Sequence, residues 1–300
     1  RAGGHRPGPR LTGTLWAALS GVGFGVFQVL NARAVRNLTR VYVATFAQLA
    51  AATVVLLVVV VAAGSAGDVR HIPPVSMAYL AGAGVVHFVV GWTTLNASQA
   101  KIGAARTSPL IATTPVFGVV LAFLATRSVP GPLALLGIAV TVAGAYLVTD
   151  PGAHHRARLR ESGYGLATSA AWAVSAVLTV AGLRGFADPL VGVTVGLAAA
   201  ALAYGAVLLA VPASRGGGRM DRTAWRLKLA AGVVVGLATW WRYLGLADAP
   251  VGVVLALQLL TVPTVLVLVS FGPHREPLEL KVWVGSAGVL VGVGLLIAVP

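Results

Sequence analysis

The side chains best able to do chemistry in this chain are its acids: Asp68, Asp150, Glu161, Asp188, Asp221, Asp248, Glu276 and Glu279. All eight fall in hydrophilic gaps or at the ends of apolar runs. No two are spaced as a general acid and base, and no Asp-rich cluster could hold magnesium. Cysteine is absent, which excludes disulfides, thiolate metal sites and a cysteine nucleophile. No HExxH, phosphate-binding loop or GxSxG occurs. The sequence therefore predicts no enzyme, no catalytic residue, no metal ligand set and no cofactor.

Polar groups inside apolar runs are more informative. His87 is the histidine placed deep in such a run, and on a helix it shares a face with Gly91, Thr94 and Ser98. It could bond a solute or relay a proton, or it could tie two helices together. Thr113 and Thr114 stand beside Pro115, and Gln258 and Thr261 precede Pro263. Proline bends a helix and frees a carbonyl one turn back. In a membrane that carbonyl must face protein or a wet cavity. Gln258 is expected in such a cavity because a primary amide is costly against lipid. The threonines either join it or bond back to their own helix. Gln28 is clearly internal to the first run, whereas Asn31 stands near its end beside Arg33. Trp172 could stack on a ring or a cation. Trp92 and Trp240 are expected to be structural, and Trp241 to lie in an interfacial belt. Arg242 is expected to snorkel to the membrane surface, with binding of an anionic substrate as the alternative.

The elements that hold these groups follow from composition. The 300 residues are 57% hydrophobic and only 10% charged, with mean hydropathy +0.88. A soluble domain carries about 25% charged residues, and disorder needs low hydrophobicity, so lipid is the expected solvent. Ten apolar segments are legible, near 11–32, 42–63, 76–96, 104–126, 132–149, 163–183, 190–212, 229–247, 251–271 and 282–299. Backbone facing lipid must satisfy itself, so each is predicted to be a helix. The unbroken Val59, Val60 and Val61 do not alternate as a barrel strand would. Net charge is +14. The basic residues are spread through the gaps, which suits an anionic membrane surface and not nucleic acid. Their bias, read alone, places both termini outside.

The chain also repeats itself at an offset of 148 residues, as the distance from Trp92 to Trp240 shows. Pro115 matches Pro263, Phe123 matches Phe271, Arg127 matches Arg275, Gly137 matches Gly285 and Gly144 matches Gly292, while Phe24 falls opposite Trp172. Each half holds five segments. An odd number predicts that the second half enters the membrane in the opposite sense, as in secondary transporters with a site at the midplane.

These residues carry a family resemblance. The run Ala247, Asp248, Ala249, Pro250, Val251 and Gly252, then Pro263, Arg275, Glu276, Gly285 and Gly292, resembles the EamA domain of the drug/metabolite transporter superfamily. The first repeat offers the stretch from Ser98 to Ala105, then Pro115, Gly137 and Gly144, in the same register. It departs at Ser128, opposite Glu276, and His274-Arg275 stands where the family prefers a glycine before the acid. The resemblance covers nearly the whole chain. It implies ten helices with the termini inside, and carriage of amino acids, drugs, sugars or other metabolites, with export favoured.

The expectation is thus an all-α, polytopic membrane protein with ten transmembrane helices as two inverted five-helix repeats. Residues 11–149 and 163–299 form the repeats and 150–162 a polar linker. It would be a multi-pass protein of the cell (plasma or inner) membrane, moving a small organic solute by alternating access through a cavity lined by segments 1, 3, 4, 6, 8 and 9. Its partners are a small-molecule substrate and the lipid bilayer, with no nucleic acid. Lacking buried acids, it would be a facilitator or couple protons only through His87. A non-transporting sensor or docking subunit is the alternative.

Overall fold

The computed structural model describes residues 9–35, 41–126, 131–149, 155–211, 221–249, 254, 257–271 and 278–297. Several sequence landmarks lie outside these residues: Arg127, Ser128, Asp150, the turn from Pro250 to Gly252, and His274, Arg275 and Glu276. The described elements are all helical. They are α1 (Pro9–Val35), α2 (Val41–Ala62), a 3-10 turn (Ser65–His71) and α3 (Pro74–Gly84), which runs through a π-helical segment (Val85–Gly91) into α4 (Trp92–Ile111). There follow α5 (Thr114–Thr126), α6 (Pro132–Thr149), α7 (His155–Gly185) and α8 (Pro189–Ala210), then α9 (Arg222–Asp248), α10 (Thr261–Ser270) and α11 (Leu280–Ile297). Among the described residues, six stretches are long and apolar enough to cross a membrane: Thr12–Val35, Tyr42–Ala62, Pro74–Ile111, Arg160–Gly185, Pro189–Ala210 and Arg222–Asp248.

Local chemistry sets the helix ends. Asp188 caps α8, its Oδ1 accepting from the Leu190 and Val191 N–H groups at 2.9 and 3.0 Å, with Pro189 in the first turn where no N–H is needed. Inside α4 the helical path breaks at Gly103, whose φ of 78° suits only glycine. Pro115 explains the break between α4 and α5. Its ring would crowd the Ile111 carbonyl, and that oxygen is instead satisfied by the hydroxyls of Thr114 at 2.6 Å and Ser169 at 3.3 Å. Two boundaries differ from the hydropathy reading. α7 starts at His155, inside the polar stretch, and α9 starts at Arg222, upstream of its apolar run. In α9 the added turns carry Lys228, which is buried.

The polarity of the packed molecule is inverted relative to a soluble protein. Leu15, Val58, Val61, Leu202, Leu209, Val142 and Val291 are exposed, whereas Gln28, Asn31, Gln48, His87, Asn96, Gln99 and Lys228 are buried. That distribution suits a lipid solvent, in which apolar surface is free and polar groups seek one another. α1 packs along α9, and α3 and α4 along α7. α2 meets α8 and α9, α3 meets α8, and α6 meets α11. The closest approaches fall at glycines. A β-carbon on Gly84 would collide with the backbone of Gly196, one on Gly232 with that of Gln48, and one on Gly144 with that of Gly285. Such small-residue contacts let membrane helices touch backbone to backbone.

Candidate functional site

A cavity lies where α1, the π segment, α4, α5, α7, α9 and the 257–261 turn converge. It is lined by Phe24, Gln28, His87, Ser108, Ile111, Ala112, Thr114, Pro115, Trp172, Arg242, Gln258, Leu259 and Thr261. About 60 Å³ of it is open to the centre of a water molecule. That is room for several waters.

Its walls are set by the helix irregularities. The π segment widens the helix at His87, a distortion common at functional sites. Trp172 donates its indole N–H to the His87 carbonyl at 3.3 Å. The two rings stack, with centroids 4.8 Å apart and planes within 3°. Gly91 makes this possible, since a β-carbon there would strike the Trp172 ring. Phe24 closes the far side, 6.0 Å from Trp172. Opposite, Gln258 donates to Ser20 Oγ at 2.8 Å, and Thr261 donates to the Gly21 carbonyl at 2.9 Å. These bonds seat the 257–261 turn on α1.

Several polar atoms in the wall have no hydrogen-bond partner among the described residues: both amide atoms of Gln28, His87 Nε2, Ser108 Oγ and Arg242 Nε. Gln28 is fully buried, His87 is 3% exposed and Arg242 is 8% exposed. Among the described residues no Asp or Glu lines the cavity. Buried polar groups are nearly always satisfied, so their grouping around one cavity makes it the candidate site.

Of the residues singled out from sequence, Gln28, His87, Thr114, Trp172, Gln258 and Thr261 line this cavity, as does Pro115. Thr94 does not. It bonds Thr168 at 2.8 Å and lines a separate, open cleft with Tyr42, Thr93 and Tyr204. Thr113 is also outside, bonded to the Leu110 carbonyl at 2.7 Å and to Ser169 at 3.0 Å. Pro263 lies in α10 and contributes no wall.

Two cations depart from their expected places. Arg242 does not snorkel outward, because its side of α9 faces the cavity. Hydropathy alone carries no information on facing, and Ser108 was missed for the same reason. Lys228, expected among the charges of a gap, is fully buried. Its ammonium donates to Asn31 Oδ1 at 2.5 Å, Gln48 Oε1 at 3.0 Å and Asn96 Oδ1 at 3.1 Å. Asn31 in turn donates to Asn96 and Gln99 at 2.7 and 2.6 Å. This knot ties α1, α2, α4 and α9, and it buries Asn31 away from the interface. Among the described residues no group of three or more His, Cys, Asp or Glu could hold a metal ion.

A crystal structure of another protein has the same fold, with a TM-score of 0.68 at 16% identity, covering 96% of this chain and 97% of that one. No curated protein matches the chain. The model of the EamA-like transporter family matches residues 11–150. Residues 11–150 thus carry the domain of the EamA-like transporter family, a family of membrane transporters in the drug/metabolite transporter superfamily.

Proposed function

We propose that this chain is a secondary carrier made of two five-helix repeats, 11–149 and 163–299, joined by 150–162 and threaded in opposite senses. It would move a small organic solute out of the cell across the plasma or inner membrane. The halves would rock about the central cavity so that it opens to one side at a time.

The observation that carries this reading is a set of contacts that exchange under the 148-residue offset. Gly84 on Gly196 becomes Gly232 on Gln48, and Gly144 on Gly285 becomes Gly292 on Gly137. Thr113 bonded to Ser169 becomes Thr261 bonded to Gly21. Contacts that interconvert in this way support a two-fold relation between the halves. Helix length supports ten crossings. The stretch Pro74–Ile111 has 38 residues, or roughly 57 Å at 1.5 Å per residue, against a hydrocarbon core of about 30 Å. The break at Gly103 divides it into the end of one crossing and the start of the next. The cavity draws its wall from both halves, as a site between rocking repeats requires.

The absence of native cysteine makes the test direct. Gly67→Cys and Arg215→Cys occupy equivalent positions, 148 residues apart. Under opposed threading, an impermeant maleimide labels them from opposite faces of oriented vesicles. Labelling from one face overturns the inverted arrangement. Solute flux in proteoliposomes tests carriage itself. Rates for His87→Gln that follow the parent across a pH series would remove His87 from any proton route.

A further inference from the structure

The cavity holds one full positive charge, and among the described residues nothing balances it. The Arg242 side chain makes no ion pair and no hydrogen bond among the described residues. It is nevertheless nine-tenths buried, on a wall without a carboxylate. A buried cation without a counter-charge is costly. Its repeat counterpart is Thr94, a neutral residue bonded to Thr168. The charge is therefore not a requirement of the shared helical framework. The neighbouring free groups complement an anion. Gln28 Nε2 and Ser108 Oγ are unpartnered and can donate, and a guanidinium presents two parallel N–H groups to a carboxylate. Phe24, Ile111 and Leu259 add apolar surface to the wall.

We infer that the cavity recognises a small organic monoanion, its carboxylate paired with Arg242 and its apolar body against Phe24, Ile111 and Leu259. This inference rests on the cavity being the carrier's solute site. A single cation suits a single negative charge, since a dianion would leave one charge unbalanced in a dry wall. A cationic solute would face Arg242 with no acid to hold it.

The test uses the full chain purified in detergent. Melting is followed with butyrate and benzoate, with the amides and amines of the same skeletons, with inorganic phosphate and with phosphatidylglycerol. The expected result is saturable stabilisation by the carboxylates alone. In Arg242→Gln the midpoint concentration for that stabilisation rises at least tenfold, while Arg242→Lys keeps part of the response. Without ligand, Arg242→Gln melts no lower than the parent, because the guanidinium has no protein partner to lose. Amides or amines as effective as carboxylates would overturn the inference. So would an unchanged butyrate response in Arg242→Gln, or stabilisation by phosphate or phosphatidylglycerol but not by carboxylates. Collapse of both Arg242 variants without ligand would overturn it too, since the arginine would then be holding the fold. Flux separates this inference from the carrier reading. Arg242-dependent carboxylate binding without flux defeats carriage and leaves the anion site standing. Flux of neutral or cationic solutes that ignores Arg242 does the reverse.

Discussion

Lys228 and Arg242 are two buried cations on one helix, and their surroundings differ completely. They stand 14 residues apart along α9, roughly 21 Å of helix. The Lys228 ammonium has three donors and three amide oxygens to receive them. Arg242 has no partner and faces a cavity. Both break the repeat, since Leu80 stands opposite Lys228 and Thr94 opposite Arg242. Leu80 lies against Gly182, Gly192 and Gly196 in an apolar corner, the plain version of the corner that Lys228 makes polar. The lesson is that buried charge alone does not identify a site. A satisfied cation ties helices together, and it is the unsatisfied one next to space on which the proposed anion site rests.

The contrast can be broken by substitution. Lys228→Met should have the largest effect. It orphans the Asn31 and Gln48 oxygens in a closed interior, at about 3 kcal/mol if each unpaired group costs 1–3. Unfolding in mixed micelles would measure it, and a loss within error would make the knot ornamental. Adding Asn31→Thr and Asn96→Leu, the residues of the other repeat, should recover only part of that loss, because Gln48 and Gln99 are left with amide oxygens and no donor. Gln28→Leu removes an unsatisfied amide from the cavity wall, so it should change stability in the opposite sense, by about 1 kcal/mol. A marked destabilisation would show that Gln28 has a structural partner. The smallest effect is expected of Thr113→Val: the hydroxyl bond to Ser169 is lost, at about 0.6 kcal/mol for an average bond inside a membrane, and the bond to the Leu110 carbonyl is lost too, but that carbonyl keeps the Thr113 N–H. Transport should continue in that variant, since Thr113 is outside the cavity.

Much of the helical framework was legible, and the reasons are physical. Lipid forces each apolar run to satisfy its own backbone, so length and hydropathy locate α1, α2, α6 and α8 closely. Pro115 announced the α4–α5 break because proline removes a donor wherever it stands. His87, Trp172 and Gln258 could be found because polar and aromatic groups deep in an apolar run must face protein. Facing was not legible for Arg242, Ser108 or Lys228, since each stands where either side of its helix could have held it. The bonds from Asn31 to Asn96 and from Lys228 to Gln48 span helices distant in sequence. No local pattern announces such pairs. The knot also explains why α9 extends upstream of the segment read at 229: Lys228, at the end of that extension, has amide oxygens to receive its ammonium.

The central claim, that the cavity opens alternately to the two sides, is tested most directly at Ser108, whose hydroxyl has no partner to lose. A lone cysteine at this position, in a chain that has no other, can be probed with an impermeant maleimide in right-side-out and in inverted vesicles. The account predicts labelling in both preparations, with carboxylate slowing both reactions. Labelling from one side alone, unaffected by any solute, would contradict it.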